Sequence, residues 1–337
     1  MTIKPSLTID DIARELGVSK TTVSRAISGK GRISAATRER VQAYIEEHNY
    51  KPNASAKSLA ESRTYNLALV LPRDFMKLDF PFIRLAMSAI VDEAFLMGYN
   101  VMLCLEADTD HSSLVRTLDY RKVDGVILTR TVEEDPITEL LIRRDIPFAT
   151  LGSLPLKHAG KAIVEADHDH LGGCCAFTKA VLSGSTAPTA LLGNDLSYVV
   201  NQSRLSGFRK ACQELNIPLD HTPIRMGIND LDGCREAVED LLALGIRRFL
   251  CMDEDLCLRT MTVLSENGLT IPGDAQVASF ADNRLLKTAQ PPVSALYFDS
   301  AELARAACRE FIHALSDEHY DPKPLLGYKI RLRQSMI

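Results

Sequence analysis

The stretch T-I-D-D-I-A-R-E-L-G-V-S-K-T-T-V-S-R-A-I-S-G, Thr8 to Gly29, decides how this chain is read. Thr8 is an N-cap residue with an acid, Asp11, three positions on, and Ile9, Ile12, Ala13 and Leu16 follow at helical spacing. Gly17 ends that helix, Ser19 can cap a second, and Val23, Ala26 and Ile27 give the second its apolar face. Two short helices joined through L-G-V-S form a helix-turn-helix, whose second member can lie in a DNA major groove. Lys20, Thr21, Thr22, Ser24 and Arg25 are its polar groups. Arg and Lys reach guanine O6 and N7, and hydroxyls suit phosphates or base edges. A solvated helix face would show the same residues.

Outward from there, S-A-A-T-R-E-R-V-Q-A-Y-I-E-E (34–47) reads as a third capped helix, with Val41, Ala43, Tyr44 and Ile45 available to close a small core. In Y-K-P-N-A-S-A-K-S-L-A-E-S (50–62), Pro52 blocks continuation and Asn53 can cap a short segment. That segment has good helix formers but too little apolar surface to fold alone, so it is either a helix that orders on docking or a plain linker.

These three stretches resemble, almost position for position, the headpiece and hinge of the lactose/galactose repressor family. The resemblance implies that Lys20, Thr21 and Arg25 read base edges and that Ser19, Thr22, Ser24 and Asn53 position the DNA backbone. It also implies that paired hinge helices enter the minor groove with Leu59 as the wedge at the central base step. Double-stranded DNA is then the first expected partner, through a pseudo-palindromic operator read by a two-fold dimer.

Composition agrees with a two-ended molecule. The 337 residues, 46% apolar and 25% charged, fit a globular protein of two or three domains at roughly 100 to 200 residues each. The net charge of −5 hides an asymmetry: residues 1–63 hold 11 basic against 7 acidic residues, or +4, and the remainder 28 against 37, or −9. A basic head on an acidic body presents one end to nucleic acid. No apolar run approaches the roughly 18 residues of a membrane span, and the opening residues lack the apolar stretch of a signal peptide, so no membrane contact and a cytoplasmic location are expected. The eight cysteines (Cys104, Cys174, Cys175, Cys212, Cys234, Cys251, Cys257, Cys308) form no C-x-x-C pair and read as reduced core thiols. Neither a metal site nor a cofactor is expected.

From residue 66 short apolar runs alternate with helical segments: strands at 66–72, 99–105, 123–128 and 146–151, then again at 189–193, 247–252 and 275–280. The alternation means α/β architecture with parallel sheets. Two such sheets in succession resemble the two-lobed, periplasmic-binding-protein-like core of the same family. The expected division is a headpiece at 1–51, a hinge and linker at 52–64, one lobe at 66–165 plus 299–327, and the other at 166–298 plus 328–337. Ligands of open α/β sheets sit beyond the carboxyl ends of strands, here in the cleft between lobes.

That placement nominates effector residues. N-Q-S-R-L-S-G-F (201–208) matches the family's R-x-x-G-F element and makes Arg204 the leading candidate, since one guanidinium can donate two hydrogen bonds to vicinal hydroxyls, a carboxylate or a phosphate. Asp169 in D-H-D-H-L-G-G falls near the family's ligand-facing Asp or Asn, with its register open. Asp253 stands where the family usually has Asn followed by Asp. In V-A-S-F-A-D-N, Ala281 replaces the first of two family acids and Asp282 keeps the second. In L-P-R-D-F-M-K-L-D-F-P-F (71–82), Arg73 and Asp74 are expected to line the cleft, with Phe80 or Phe82 facing a ring; an exposed loop with aromatic anchors is the alternative.

The expected function is a transcriptional repressor whose operator affinity changes with a bound carbohydrate or sugar phosphate; a corepressor-dependent regulator or an activator has the same parts. An enzyme is disfavoured, because no G-x-G-x-x-G, P-loop, G-x-S-x-G or H-E-x-x-H is present and no catalytic residue can be named. A solute-binding protein would lack the headpiece. His168 and His170, beside Asp167 and Asp169, read as a polar loop at the cleft edge. With no heptad run after the last strand, a homodimer is expected, with a tetramer left open.

Overall fold

The computed structural model describes residues 7–29, 31–48, 50, 61–73, 81–107, 110–183, 187–218 and 221–336, and the chain divides into two compact units, 1–65 and 66–337. In the first unit, α1 (Ile9–Leu16), α2 (Lys20–Ser28) and α3 (Ala35–Glu47) each begin at the hydroxyl cap named above. Thr8 and Asp11 form a reciprocal capping box, and Ser19 and Ser34 accept from the backbone N–H of Thr22 and Thr37. Gly17 turns the chain at φ 63°, the left-handed region that favours glycine. Ile12, Ala13, Val23, Ala26 and Val41 close the core together with Tyr50. Ala43, expected inside, is exposed; Tyr50, just past α3, fills the space instead.

The second unit is α/β, with two six-stranded sheets. The first contains β1 (Asn66–Pro72), β2 (Asn100–Glu106), β3 (Gly125–Leu128), β4 (Phe148–Leu151), β5 (Val164–His168) and β11 (Leu325–Leu326), all parallel, in the order β11-β5-β4-β3-β1-β2. The second contains β6 (Thr189–Leu192), β7 (Ile224–Arg225), β8 (Arg248–Cys251), β9 (Gln276–Ser279), β10 (Ser294–Tyr297) and β12 (Lys329–Arg331), in the order β12-β10-β9-β8-β6-β7. Only β12 runs antiparallel to its neighbour. The two orders are one topology used twice, with switch points between β1 and β3 and between β6 and β8.

Helices cover both faces, which is why the central strands are continuous apolar runs. Ala190, Leu192, Phe249, Cys251, Val277 and Ala295 meet α9 (Leu231–Ala243) and α10 (Glu254–Glu266). The alternate residues Leu191, Leu250, Ala278 and Leu296 meet α7 (His170–Leu182) and α8 (Val199–Glu214) on the opposite face. In the first lobe α4 (Pro81–Leu96) packs with α12 (Ser300–Leu315), and α5 (Ser112–Asp119) and α6 (Pro136–Arg143) lie across the other face. No helix among the described residues is long and apolar enough to cross a membrane.

The chain crosses between lobes three times: after β5, after β10 and between β11 and β12. The expected boundary at 165/166 falls inside β5, which stays in the first sheet through His168. Glu165 hid this strand from the sequence reading. It is buried, yet its carboxylate accepts from the N–H groups of Leu154 and Gly160, so a charged residue is satisfied inside.

Close packing of α7 on α8 depends on Gly207. A Cβ there would stand 2.6 Å from the Leu171 carbonyl oxygen and 2.8 Å from the Cys174 Cβ, both rigid neighbours. Gly207→Ala is expected to lower stability by about 1 to 3 kcal/mol, read as a lower urea midpoint at unchanged slope.

Candidate functional site: a DNA-facing helix and an interlobe cluster

α2 buries Val23 and Ala26 and exposes Lys20, Thr21, Ser24 and Arg25, four residues at positions one and four apart on one helix face. Ser19 and Thr22 are joined hydroxyl to hydroxyl at 2.8 Å while Ser19 caps the helix. Lys20 pairs with Asp10 at 2.5 Å, but with side chains 70% and 47% exposed the pair is screened, and the ammonium exchanges partners at little cost. The Arg25 stem lies against Gly31, where a Cβ would stand 3.0 Å from Arg25 Cδ. Asn53 and Leu59 lie outside the described residues.

The second cluster forms where the carboxyl ends of the strands meet. Residues 130–133, following β3, bridge to 197–202, at the start of α8: Val132 and Tyr198 form an isolated antiparallel bridge. Glu133 N–H donates to the Ser197 carbonyl at 2.9 Å, Val199 N–H to the Thr131 carbonyl at 3.2 Å, and Gln202 Nε2 to Glu133 Oε1 at 2.9 Å. The lobes are thus pinned together beside the cleft.

Arg204 projects from α8 into this region. Its Nη1 donates to the Met252 carbonyl at 2.6 Å, directly before Asp253, while its Nε is buried with no partner. Its charge acts on Asp167, Asp253 and Glu254, three carboxyls that burial pushes above the usual range and that Arg204 pulls back down. Asp253 also caps α10, accepting from Leu256 N–H at 2.8 Å. Asn194, in the loop after β6, holds a buried Oδ1 with no partner. One guanidinium therefore acts on three buried carboxyls, and the loop after β6 adds an unused carbonyl oxygen, an acceptor-rich set of groups at the ends of the strands.

Other nominated residues stand elsewhere. Asp169 is the N-cap of α7, its carboxylate taken by Gly172 N–H at 2.8 Å, and it is Asp167, two residues earlier, that couples to Arg204. Asp282 is not open to a ligand. Its side chain is 1% exposed, with Oδ1 and Oδ2 accepting from Arg333 at 2.9 and 2.6 Å and Oδ2 also from Arg331 at 3.0 Å. Arg73 pairs with Asp110 at 2.9 Å, tying the ends of β1 and β2 together rather than standing free. Phe82 is half-buried in the first turn of α4; Asp74 and Phe80 lie outside the described residues.

Asp167 and Asn194 were not nominated from the sequence, and Glu254 was weighed only as a neighbour of Asp253 that could face the cleft with it. D-H-L-G at 169–172 has the spacing of a helix cap, and reading it so would have made Asp167, rather than Asp169, the carboxyl to nominate beside Arg204. Asn194 follows a strand at the switch point, the place Asp253 occupies after β8. All eight cysteines are buried, and no group of three metal-ligating side chains gathers among the described residues.

Comparison with known proteins matches both ends of the chain. Residues 8–53 match the bacterial regulatory proteins of the lacI family, and residues 186–336 match a periplasmic binding protein-like domain. The transcriptional regulator CelR of Thermobifida fusca is 27% identical over 326 residues, 95% of each chain. The HTH-type transcriptional repressor PurR of Vibrio parahaemolyticus is 25% identical over 328 residues, 94% of each. Among solved structures, a CelR–cellobiose complex superposes with a TM-score of 0.72 at 25% identity over 98% of this chain and 99% of that one. A lac repressor dimer bound to operator and the anti-inducer ONPF superposes at 0.76 over 99% and 100%, and at 22% identity it speaks for the fold. A capped helix-turn-helix that matches the lacI family of bacterial regulatory proteins, ahead of two repeated α/β lobes, gives this chain the domain organisation of the regulators that match it end to end.

Proposed function

We propose that the protein is a dimeric, sequence-specific transcriptional repressor whose operator affinity is set by a small carbohydrate held between the lobes. The observation that carries the DNA-binding half is the exposed quartet Lys20, Thr21, Ser24 and Arg25 on a helix fixed by its own caps. A regulator of this kind works in the cytoplasm and catalyses no reaction. Arg204 and Asp253 are the proposed effector contacts, joined by Asp167, Glu254 and Asn194. The acceptor-rich cluster favours a ligand bringing hydroxyl donors over a sugar phosphate, whose oxygens would face three carboxylates.

The dimer reading has its own support. β2 is an edge strand, and beside it α4 leaves Leu85, Phe95 and Leu96 at 52%, 78% and 79% exposure, with Leu103 and Leu105 of β2 also exposed. An apolar face of this kind along a sheet edge needs covering, and a second copy covers it symmetrically.

Selection of bound sequences from a random DNA pool at near-physiological salt tests the reading. Enrichment of one pseudo-palindrome is expected; no enrichment, with or without candidate sugars, would overturn it. Arg25→Ala is expected to weaken binding to that operator by about 1 to 3 kcal/mol and to relax preference at one base position in each half-site. An unchanged profile would remove Arg25 from the reading set.

A further inference from the structure

Two imidazoles sit where the lobes are joined. His168 ends β5, His170 begins α7, and the first crossing runs between them. The second crossing supplies Phe298, whose ring centroid lies 5.0 Å from His168 and 4.4 Å from His170. The third crossing lies alongside: the Leu326 carbonyl accepts from Asp169 N–H at 2.9 Å, and Tyr328 packs on Gly173. His168 is 4% exposed and His170 9%, and His168 Nε2 and His170 Nδ1 are buried with no hydrogen-bond partner.

We propose that His168 and His170 form a proton-operated latch on the lobe hinge, in which neutral rings hold the lobes together and protonated rings part them. An imidazolium has two N–H donors, and here one nitrogen of each ring has nothing to donate to. The surrounding charges are mixed. Asp167 Oδ1 stands 3.6 Å from His170 Nε2, and Asp299, from the second crossing, attracts a charge on His168. Arg204 from α8 repels both rings, and a charge on His168 opposes one on His170. Asp169 is taken by its cap and the Cys174 thiol, pushed up by burial to about 12, stays neutral. Burial holds His168 down to about 4 and His170 well below the usual range.

Exposing the rings requires the three crossings to separate, which breaks the bridge between Val132 and Tyr198. In the parted form both imidazoles return to the ordinary value of about 6.5. The sign follows directly: the joined form binds fewer protons, so falling pH through 6.5 favours parting, by up to tenfold per pH unit for each ring, until the joined form itself takes up protons near 4. This regulates the same cleft as the proposed effector and rests on that cleft being the moving part.

The test is lobe separation in the full-length protein, without DNA or effector, by energy transfer between one fluorophore on each lobe from pH 8 to pH 4.5. Separation should be constant above about pH 7 and grow below 6.5. His168→Gln/His170→Gln should stay flat over the same range, and His170→Gln alone should titrate with half the proton slope if the double variant does not fold. A flat wild-type profile, or loss of far-ultraviolet circular dichroism before any separation, would overturn the latch. So would a double variant that titrates like wild type, because groups other than these two rings would then drive the parting; Asp167, Asp253 and Glu254, raised by burial in the joined form, favour joining as pH falls and oppose it. Operator selection does not enter this readout, so failure of the DNA-binding reading and failure of the latch are separately visible.

Discussion

Asp282→Ala is expected to lower the free energy of unfolding by about 3 to 5 kcal/mol, the largest effect of any single substitution named here. The carboxylate is 1% exposed and receives three charge-assisted hydrogen bonds, two from Arg333 and one from Arg331. Removing it leaves the Arg333 guanidinium, whose side chain is only 14% exposed, with the Val293 carbonyl as its remaining acceptor at 2.5 Å. Arg331 keeps its stacking over the Tyr297 ring at 3.9 Å. The strand these arginines anchor, β12, has three residues and is the antiparallel member of its sheet, and the hydrogen bonds of Ser294 and Ser335 just beyond it keep the segment docked when the ion pair is lost. Urea unfolding followed by circular dichroism measures the loss. Asp282→Asn, which keeps the shape and loses the charge, should fall between alanine and wild type. A change below about 1 kcal/mol coupled to a lost effector response would instead return Asp282 to the ligand site.

What could be read from the sequence was what is local. Caps at Thr8, Ser19 and Ser34 are fixed by residues three positions away, and the strand runs announce themselves by unbroken apolar composition. The sequence reading failed where a partner is distant. Asp282 follows a strand just as Asp253 does, and only the return of the chain some fifty residues later, bringing Arg331 and Arg333, turns one into a buried ion pair and leaves the other beside Arg204. Arg73 was likewise diverted by Asp110, 37 residues away. β5 was overlooked because V-E-A-D-H carries three ionisable residues, each satisfied or held neutral by groups its own segment does not contain. Position after a strand thus nominates a ligand residue, but long-range charge decides whether it remains free.

Arg204→Lys is expected to abolish the effector response while leaving operator binding and folding in place. Lysine keeps a positive charge among Asp167, Asp253 and Glu254, so the acids are not left unbalanced. It lacks the planar fork that lets one nitrogen hold the Met252 carbonyl while others face the cleft. Losing a buried, charge-assisted donor pair to a ligand costs about 2 to 5 kcal/mol, or roughly 30-fold to several thousand-fold in affinity. Arg204→Ala removes the charge as well, and the three carboxyls must then rise further; that variant should lose stability at pH 7 and regain part of it as pH falls and they protonate. The measurement is release of the selected operator across a panel of neutral sugars and sugar phosphates. A lysine variant that responds like wild type would mean that the ligand is held by the acids alone. Loss of operator binding in the lysine variant would mean that Arg204 maintains the joined lobes through Met252 and contacts no effector.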